Sequence, residues 1–306
     1  MLKYLLSRLL QGVVCIIGAS VIIFVASRVS GDATLLLLPP DATPEQQRIM
    51  RHELGLDKPY VVQYLLFAGR AVRGDFGKSY RWQTPALKLV MDRFPATIQL
   101  AVCALVFSVV VALFFGVLSA VYQGSWFDNF GKVFALLGQA MPGFWVGLMF
   151  ILFFAVKLGL LPAFGRGGLK HLILPAVTLG WYSVAAQTRM VRSAMLDVLD
   201  SDYIQTARGV GVPRWILIWK YALRNAAVPL VTMLGVYFAA MLGGSFIIET
   251  IFAWPGVGRT VVEAIFARDY PVVQAGVLFT SIFFVLSNLL VDLAYGFIDP
   301  RIRYVR

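Results

Sequence analysis

The sequence is short of charge, of sulfur chemistry and of histidine. Asp, Glu, Lys and Arg together make up 14% of its 306 residues, where an ordinary soluble domain carries about 25%. Residues of the AVILMFWYC class make up 59%, more apolar surface than a soluble fold of this length can hide and as much as a bilayer accepts as outer face. The two cysteines, Cys15 and Cys103, both fall in apolar runs, which excludes a disulfide framework. No histidine lies near either thiol, so both read as small buried hydrophobes. His52 and His171 sit in loops and no HExxH spacing occurs, so a membrane-embedded enzyme has neither metal ligands nor a converging nucleophile and base. The net charge of +11 is spread between apolar runs; it matches the positive-inside bias of membrane loops and not a basic face that meets nucleic-acid phosphates. Neither an internal repeat nor a midplane carboxylate is visible, which counts against an ion-coupled secondary transporter working without an ATPase.

What is present is a series of long apolar spans. The first runs from about Leu9 to Ala26 behind Lys3 and Arg8. It is longer than the apolar core of a signal peptide, and reads as a retained helix with a cytoplasmic N-terminus. Others follow at about Thr97–Tyr122, Phe134–Leu158, Leu172–Met190, Ala227–Ile248 and Val272–Phe297. The pattern predicts an all-α integral membrane protein with six transmembrane helices and a small helical extracytoplasmic subdomain between the first two. The organisation is then residues 1–27 for the N-terminus and first helix, 28–96 for the subdomain, 97–298 for a five-helix core, and 299–306 for a cytoplasmic tail. Arg189, Arg192, Arg208, Arg214, Lys220 and Arg224 crowd the loop after the fourth span, and Arg301, Arg303 and Arg306 crowd the tail, both as cytoplasmic segments should be.

In the 28–96 segment, Thr43-Pro44-Glu45-Gln46 combines a cap, a first-turn proline and a capping-box glutamine. That helix should end near Gly55. Asp57 and Pro59 start a second that stops at Gly74; Thr84-Pro85 starts a third that Pro95 ends. Helix breakers also interrupt the spans: Pro142 beside Gly143 in the third, Pro175 in the fourth, Gly243-Gly244 in the fifth. Such breaks persist at membrane depth where protein or a water-filled cavity covers the freed backbone. Gly143 and Gly147 form a small-xxx-small pair, which close helix packing explains equally well. Polar or aromatic residues in or near the spans that are candidates to line a pathway are Gln99, Trp181, Tyr182, Gln187, Asn288 and Asp292, with Pro142 a candidate as a helix break. Near the outer face, Glu249 fits a gate or a salt bridge with Arg259 or Arg268.

The most informative stretch is Ser201–Pro229, SDYIQTARGVGVPRWILIWKYALRNAAVP. Ser201 or Asp202 caps a helix, Gly209 and Gly211 end it, and Pro213 opens a second helix that reaches about Asn225. A short helix held across the end of a bundle by a tight turn is suited to dock in a partner's groove, with Ile204, Ala207 and Val210 as its apolar contact side. The spacing Ala207, Gly211, Leu223 resembles the EAA loop of ABC importer permeases. DYIQTARGVGV followed by YALRNAAVPLVT resembles, more narrowly, the dipeptide/oligopeptide permease subunits, including those of nickel and glutathione importers. LGLDKP at 54–59, GDFGKSY at 74–80, LGGSFIIETIFAWPGVGR at 242–259, RDYPVVQA at 268–275 and DPRIRY at 299–304 extend the likeness over nearly the whole chain. The motif's glutamate is Gln205 here, its next residue is Thr206, and Arg224 stands where a proline is general.

The resemblance implies a type I ABC importer permease fold in which the loop 197–225 couples to an ATPase through Tyr203, Ile204, Gln205, Thr206, Ala207, Arg208, Gly211, Arg214 and Arg224. It implies a second homologous permease, two cytosolic ATP-binding subunits and an extracytoplasmic substrate-binding protein as partners. That protein is expected to dock on the 28–96 subdomain and around Glu249, Trp254, Pro255, Gly256 and Arg259. ATP and Mg belong to the partner ATPases and no cofactor to this chain. Gly77-Lys78-Ser79 ends like a P-loop, but Val72 occupies its first glycine position and no strand precedes it.

Overall fold

The computed structural model describes residues 2–29, 38, 42–53 and 55–298, without the side chains of 2–5, 53, 134–136 and 292–298. The Asp292 side chain and the basic tail, including Arg301, Arg303 and Arg306, lie outside the described residues. The described residues are helical, with one isolated bridge between Lys78 and Pro85 and no strand. They divide into two compact units.

The first unit contains residues 1–97 and 255–289. Helix α1 (Leu2–Val29) carries no charge between Arg8 and Arg28 and exposes much of its apolar surface, Cys15 included. Helix α2 (Pro44–Glu53) starts as expected. Thr43 Oγ1 accepts from the Gln46 amide at 3.3 Å and Gln46 Oε1 accepts from the Thr43 amide at 2.9 Å, so two otherwise unmet donors are satisfied reciprocally. Gly55 follows with φ +65°. Helix α3 (Tyr60–Val72) packs on α1: Phe67 stacks on Phe24 at 5.8 Å, Tyr64 meets the same ring edge-on at 5.5 Å, and Ser20 Oγ bonds the Tyr64 hydroxyl at 2.8 Å.

Pro95 does not end a helix. The expected third helix and second span are one element, α4 (Ala86–Val121), of 36 residues. Pro95 and Met91, whose carbonyl loses its donor, both lie on the exposed side, so the missing bond is not shut inside protein. The unit is completed by α12 (Val257–Phe266) and α13 (Tyr270–Ile298).

The second unit contains residues 98–254. Helix α5 (Trp126–Ala140) is followed, after an extended Met141-Pro142, by α6 (Gly143–Phe150) and a π-helical continuation, Ile151–Lys157. The break expected at Pro142 is present, and the two arms bend by more than 40°. Pro175 and Gly243-Gly244 break nothing: they lie inside the continuous helices α7 (Leu169–Leu199) and α11 (Val228–Ile251). Of the pair Gly143 and Gly147, only Gly147 is packed, against Thr178 and Phe252.

Among the described residues, four helices are long and apolar enough to cross a membrane: α1, α4, α11 and α13, with α5–α6 as a fifth if the bent pair is one span. Helix α7, read from sequence as the fourth of six spans, is not among them. It packs against α5, α6 and α11 and buries Thr178, Ser183, Gln187 and Thr188. Its approach to α4 is close: a Cβ on Gly180 would lie 2.8 Å from the Ala104 carbonyl oxygen. Small and polar side chains at a helix–helix contact lower hydropathy without removing the helix from the bundle.

Candidate functional site

The loop after α7 folds as a short helix, α8 (Asp202–Gly209), with Asp202 in its first turn and Arg208 in its last. Each charge opposes the helix dipole at its end. Gly211 closes the helix at φ +82°, the left-handed region where a side chain is strained. The Gly211 amide bonds the Arg208 carbonyl and the Val212 amide the Ala207 carbonyl, both at 3.1 Å. Pro213 then opens α9 (Arg214–Ile216), which runs through a π-helical turn, Leu217–Ala222, into α10 (Leu223–Ala226).

Ile204 seats α8. It is wholly buried in a cluster with Val117 of α4, Val191 and Met195 of α7, and Leu217, Ala222, Ala226 and Leu230; Ala207 packs on the same cluster. Full burial of such a side chain is worth about 1.5–3 kcal/mol. The side expected from sequence to meet a partner therefore turns inward at Ile204 and Ala207. Gln205, Thr206, Arg208 and Val210 are what face outward, Val210 at 76% exposure. Tyr203 accepts from Asn225 Nδ2 at 2.8 Å, tying α8 to α10. Gln205 donates to the Asp200 carbonyl and Thr206 to that of Asp202. Arg214 lies over the Tyr122 ring at 5.9 Å, and Arg224 is exposed. Clefts of about 560 and 410 Å³ border α8, and Arg208 lines both.

Sequence reading missed the polar brace beside this seat. Asp128 of α5 is fully buried. It accepts from Arg192 Nε at 2.8 Å and Nη2 at 3.0 Å, from the Gly124 amide at 3.1 Å and from Ser119 Oγ, and pairs with Lys132 at 2.9 Å. The stretches it joins, around Ser119 of α4 and Arg192 of α7, are those that supply Val117, Val191 and Met195 to the Ile204 cluster. Its one sequence signal is Ser125-x-x-Asp128, a helix-start pattern that the structure realises with Ser125 Oγ on the Asp128 amide.

The candidate pathway residues of the second unit do not share a face. Gln187 is fully buried with neither amide atom bonded, Tyr182 is 61% exposed, and Trp181 meets Phe150 edge-on at 5.8 Å. Gln99 accepts from Arg166 Nη2 at 2.7 Å, and Pro142 marks the α5–α6 bend. In the first unit, Asn288 is exposed and donates to the Phe284 carbonyl.

Of the outer-face candidates, Glu249 and Trp254 are buried. The Gly165 amide bonds the Phe252 carbonyl at 2.9 Å and Arg166 sits 5.7 Å from the Trp254 ring, so the 159–168 loop folds over this turn. Pro255 and Gly256 lead into α12, whose Val257 amide bonds Thr97 Oγ1 at 2.9 Å; Arg259 pairs with Glu263 at 2.7 Å.

The P-loop-like segment has a structural use. Ser79, buried, donates to Asp269 Oδ2, which also accepts the Arg81 amide at 3.1 Å, so GDFGKSY and RDYPVVQA meet. Burial, with help from the Asp269 charge, pushes the Tyr80 phenol up.

Several helices long and apolar enough to cross a membrane, with a small helix seated against them through Ile204, suit the membrane subunit of a transporter. Residues 112–304 match the family described as binding-protein-dependent transport system inner membrane component, and residues 1–101 match its N-terminal counterpart. The chain belongs to this family, the permeases of ABC importers, and is a multi-pass inner-membrane protein and not an enzyme. It is 39% identical to the dipeptide transport system permease protein DppB of Alkalihalophilus pseudofirmus, over 99% of this chain and all of that one. With the glutathione transport system permease protein GsiC of Escherichia coli it shares 38% identity, again over 99% and 100%. Among solved structures, the MetNI methionine ABC transporter aligns with 67% of this chain and 95% of its own at a TM-score of 0.51 and 20% identity. An amino acid ABC transporter aligns with 67% and 92% at 0.51 and 17%. At these identities the structural likeness speaks for the fold alone.

Proposed function

We propose that this chain forms half of the translocation pathway of an importer for di- or oligopeptides or a related small solute, paired with a second, unlike permease. Two cytosolic ATPase subunits bind ATP and Mg, and an extracytoplasmic binding protein delivers the cargo. Support for the peptide class comes from relatives named for a dipeptide and for glutathione, itself a short peptide, each aligned along its full length. In this reading both termini are cytoplasmic, and the 28–96 segment with the Trp254–Arg259 turn receives the binding protein.

The observation that carries the coupling assignment is the two-sided character of α8. Ile204 fixes it to the chain's own core while Gln205, Thr206, Arg208 and Val210 are left outward. A helix so held transmits a push or pull from a partner to α4, α7 and α9–α11, the elements that build its seat. No carboxylate is available at position 205, so Arg208 and the Gly211 turn carry the joint. Gly211→Pro forbids the φ of +82° and removes the amide that bonds Arg208.

The test is a gentle detergent pull-down of the tagged chain from native membranes, followed by ATPase assays of the recovered complex. Wild type should bring down a second permease and an ATPase; Gly211→Pro and Arg208→Glu should lose the ATPase and the stimulation of hydrolysis by cargo-loaded binding protein. Unchanged association and stimulation in both variants would remove the coupling role from this loop. Transport by the chain alone, in vesicles without ATP, would favour the ion-coupled alternative.

A further inference from the structure

A cleft of about 570 Å³ lies in the unit built from residues 1–97 and 255–289, bordered by α1, α3, the loop 75–83 and the start of α13. Its level in the membrane follows from two spans. Phe24 and Arg28 belong to the last turns of the α1 span, Leu6–Val29, and Tyr270 and Gln274 to the first turns of the α13 span, Tyr270–Val291. The cleft is thus where both spans leave the hydrocarbon, on whichever side of the membrane that end lies. Beside it, α3 is an apolar helix too short to cross, with Val61 70% and Leu65 63% exposed, as suits a helix lying in the interface.

The lining is one-signed. Arg28, Lys58, Arg70 and Lys78 line the cleft, against Asp75 as the one carboxylate among its described lining residues. Arg28 has a partner of its own and lies over the Phe24 ring; the other three cations less one anion leave +2, and Asp75 already accepts from the Gly77 amide. His52 also lines it but is bonded to Asp57 at 2.7 Å. The wall at the membrane end is apolar: Phe24, Phe67 and Leu66.

A buried amide adds a second requirement. Gln63 is 6% exposed and lines the cleft. Its Nε2 donates to the Leu56 and Lys58 carbonyls at 3.2 and 2.7 Å, which fixes the amide's orientation and leaves Oε1 an acceptor with no partner. An unmet buried acceptor costs about 1–3 kcal/mol, so a ligand that brings a donor there is favoured. The occupant has to offer an anion for the cations, a hydroxyl or similar donor for Gln63, and an apolar tail beside Phe24 and Leu66 at the membrane boundary.

We propose that this cleft is a binding site for an anionic phospholipid of the phosphatidylglycerol type. Its phosphate sits among Lys58, Arg70 and Lys78, and a headgroup hydroxyl donates to Gln63 Oε1. The lipid fills the angle between α1 and α3, and so props α3 against the span beside the Phe24–Tyr64–Phe67 rings and the Ser20–Tyr64 bond.

The experiment is native mass spectrometry of the full-length chain, stripped of lipid in detergent and titrated with phosphatidylglycerol, phosphatidylmethanol, phosphatidylcholine or soluble glycerol phosphate. Phosphatidylglycerol should bind tightest at a single site. Phosphatidylmethanol, with the same charge and no headgroup hydroxyl, should bind about fivefold more weakly for one lost hydrogen bond, and glycerol phosphate should bind negligibly. The double variant Lys58→Gln/Arg70→Gln should weaken phosphatidylglycerol about thirtyfold, at about fivefold per charge, while Lys157→Gln leaves it unchanged. The exposed Lys78→Gln is a second variant, expected to weaken it about fivefold by the same reckoning, should the double variant melt at a different temperature. Equal binding of phosphatidylcholine and phosphatidylglycerol, or indifference to both sets of variants, would overturn the site. Glycerol phosphate binding as tightly as the lipid would overturn the lipid and leave a soluble anion in its place.

Discussion

Helices α1 and α7 are nearly equal in length, at 28 and 31 residues, yet only α1 has the hydropathy of a membrane span. The difference lies in what surrounds each. Leu10, Val14 and Ile22 of α1 are 67%, 62% and 71% exposed, so lipid is its solvent and, from Gly12 to Ser27, no outward residue is charged. Protein surrounds much of α7, whose inner positions include Thr178, Gly180, Ser183, Gln187 and Thr188 beside apolar ones. Hydropathy reports contact with lipid. A helix shielded by its neighbours is free to hold small and polar residues, and its membership of the bundle is written in packing.

If packing and polar contacts hold α7 in place, the largest effect comes from removing its ion pair. Asp128→Asn leaves Arg192 of α7 facing a neutral amide, and thermal unfolding in detergent should show a loss of about 3–5 kcal/mol. A loss below 1 kcal/mol would mean that the buried carboxylate does little for α7. Next comes the glycine contrast. Gly180→Ala forces a methyl against the Ala104 carbonyl and should cost about 1–3 kcal/mol. Gly18→Ala in α1, with nothing within 4 Å of the added carbon, should gain up to about 1 kcal/mol from helix propensity. Equal effects at the two sites would dissolve the comparison.

Gln187→Leu is a smaller and more pointed test. Both amide atoms are buried without partners, so the substitution should be neutral or stabilising by about 1 kcal/mol, with uptake retained. Lost uptake at unchanged melting temperature would make Gln187 part of the pathway after all. The smallest effect belongs to the water-exposed pair His52–Asp57. The hydrogen bond from His52 holds the Asp57 carboxyl below its usual 3.8. A depressed carboxylate contributes above its unfolded value and loses that contribution as pH falls through the folded one. Asp57→Asn should therefore lower the melting temperature slightly at pH 6 and not at all at pH 2.

The parts legible in sequence are those decided locally. The Thr43–Gln46 capping box, the Gly211 turn and the Pro142 break each depend on a few neighbouring residues, and each appears where its spacing put it. Pro95 was misleading because a proline removes one bond without necessarily ending a helix: α4 runs through Pro95 on its exposed side, and α7 runs through the buried Pro175. The contact side of α8 was misread for a related reason: an apolar stripe of Ile204 and Ala207 looks the same whether it faces a partner or the chain's own core. Asp128 was half legible, as a capping signal without its distant cation. No local pattern announces that Arg192, 64 residues on, completes it.

The Ser79–Asp269 bond has a consequence for how the protein is made. Its two ends are 190 residues apart. The first unit draws on residues 1–97 and again on 255–289, whereas residues 98–254 form most of the other unit from one continuous stretch. At synthesis rates of about 5–20 residues per second, Ser79 is translated about 10–40 s before the aspartate it binds. During that interval the buried hydroxyl and the Arg81 amide have no carboxylate to meet, and the GDFGKSY segment waits open. Assembly thus runs from the middle of the chain outward, and truncation before residue 269 should leave the 98–254 unit able to form while the first unit stays accessible to protease.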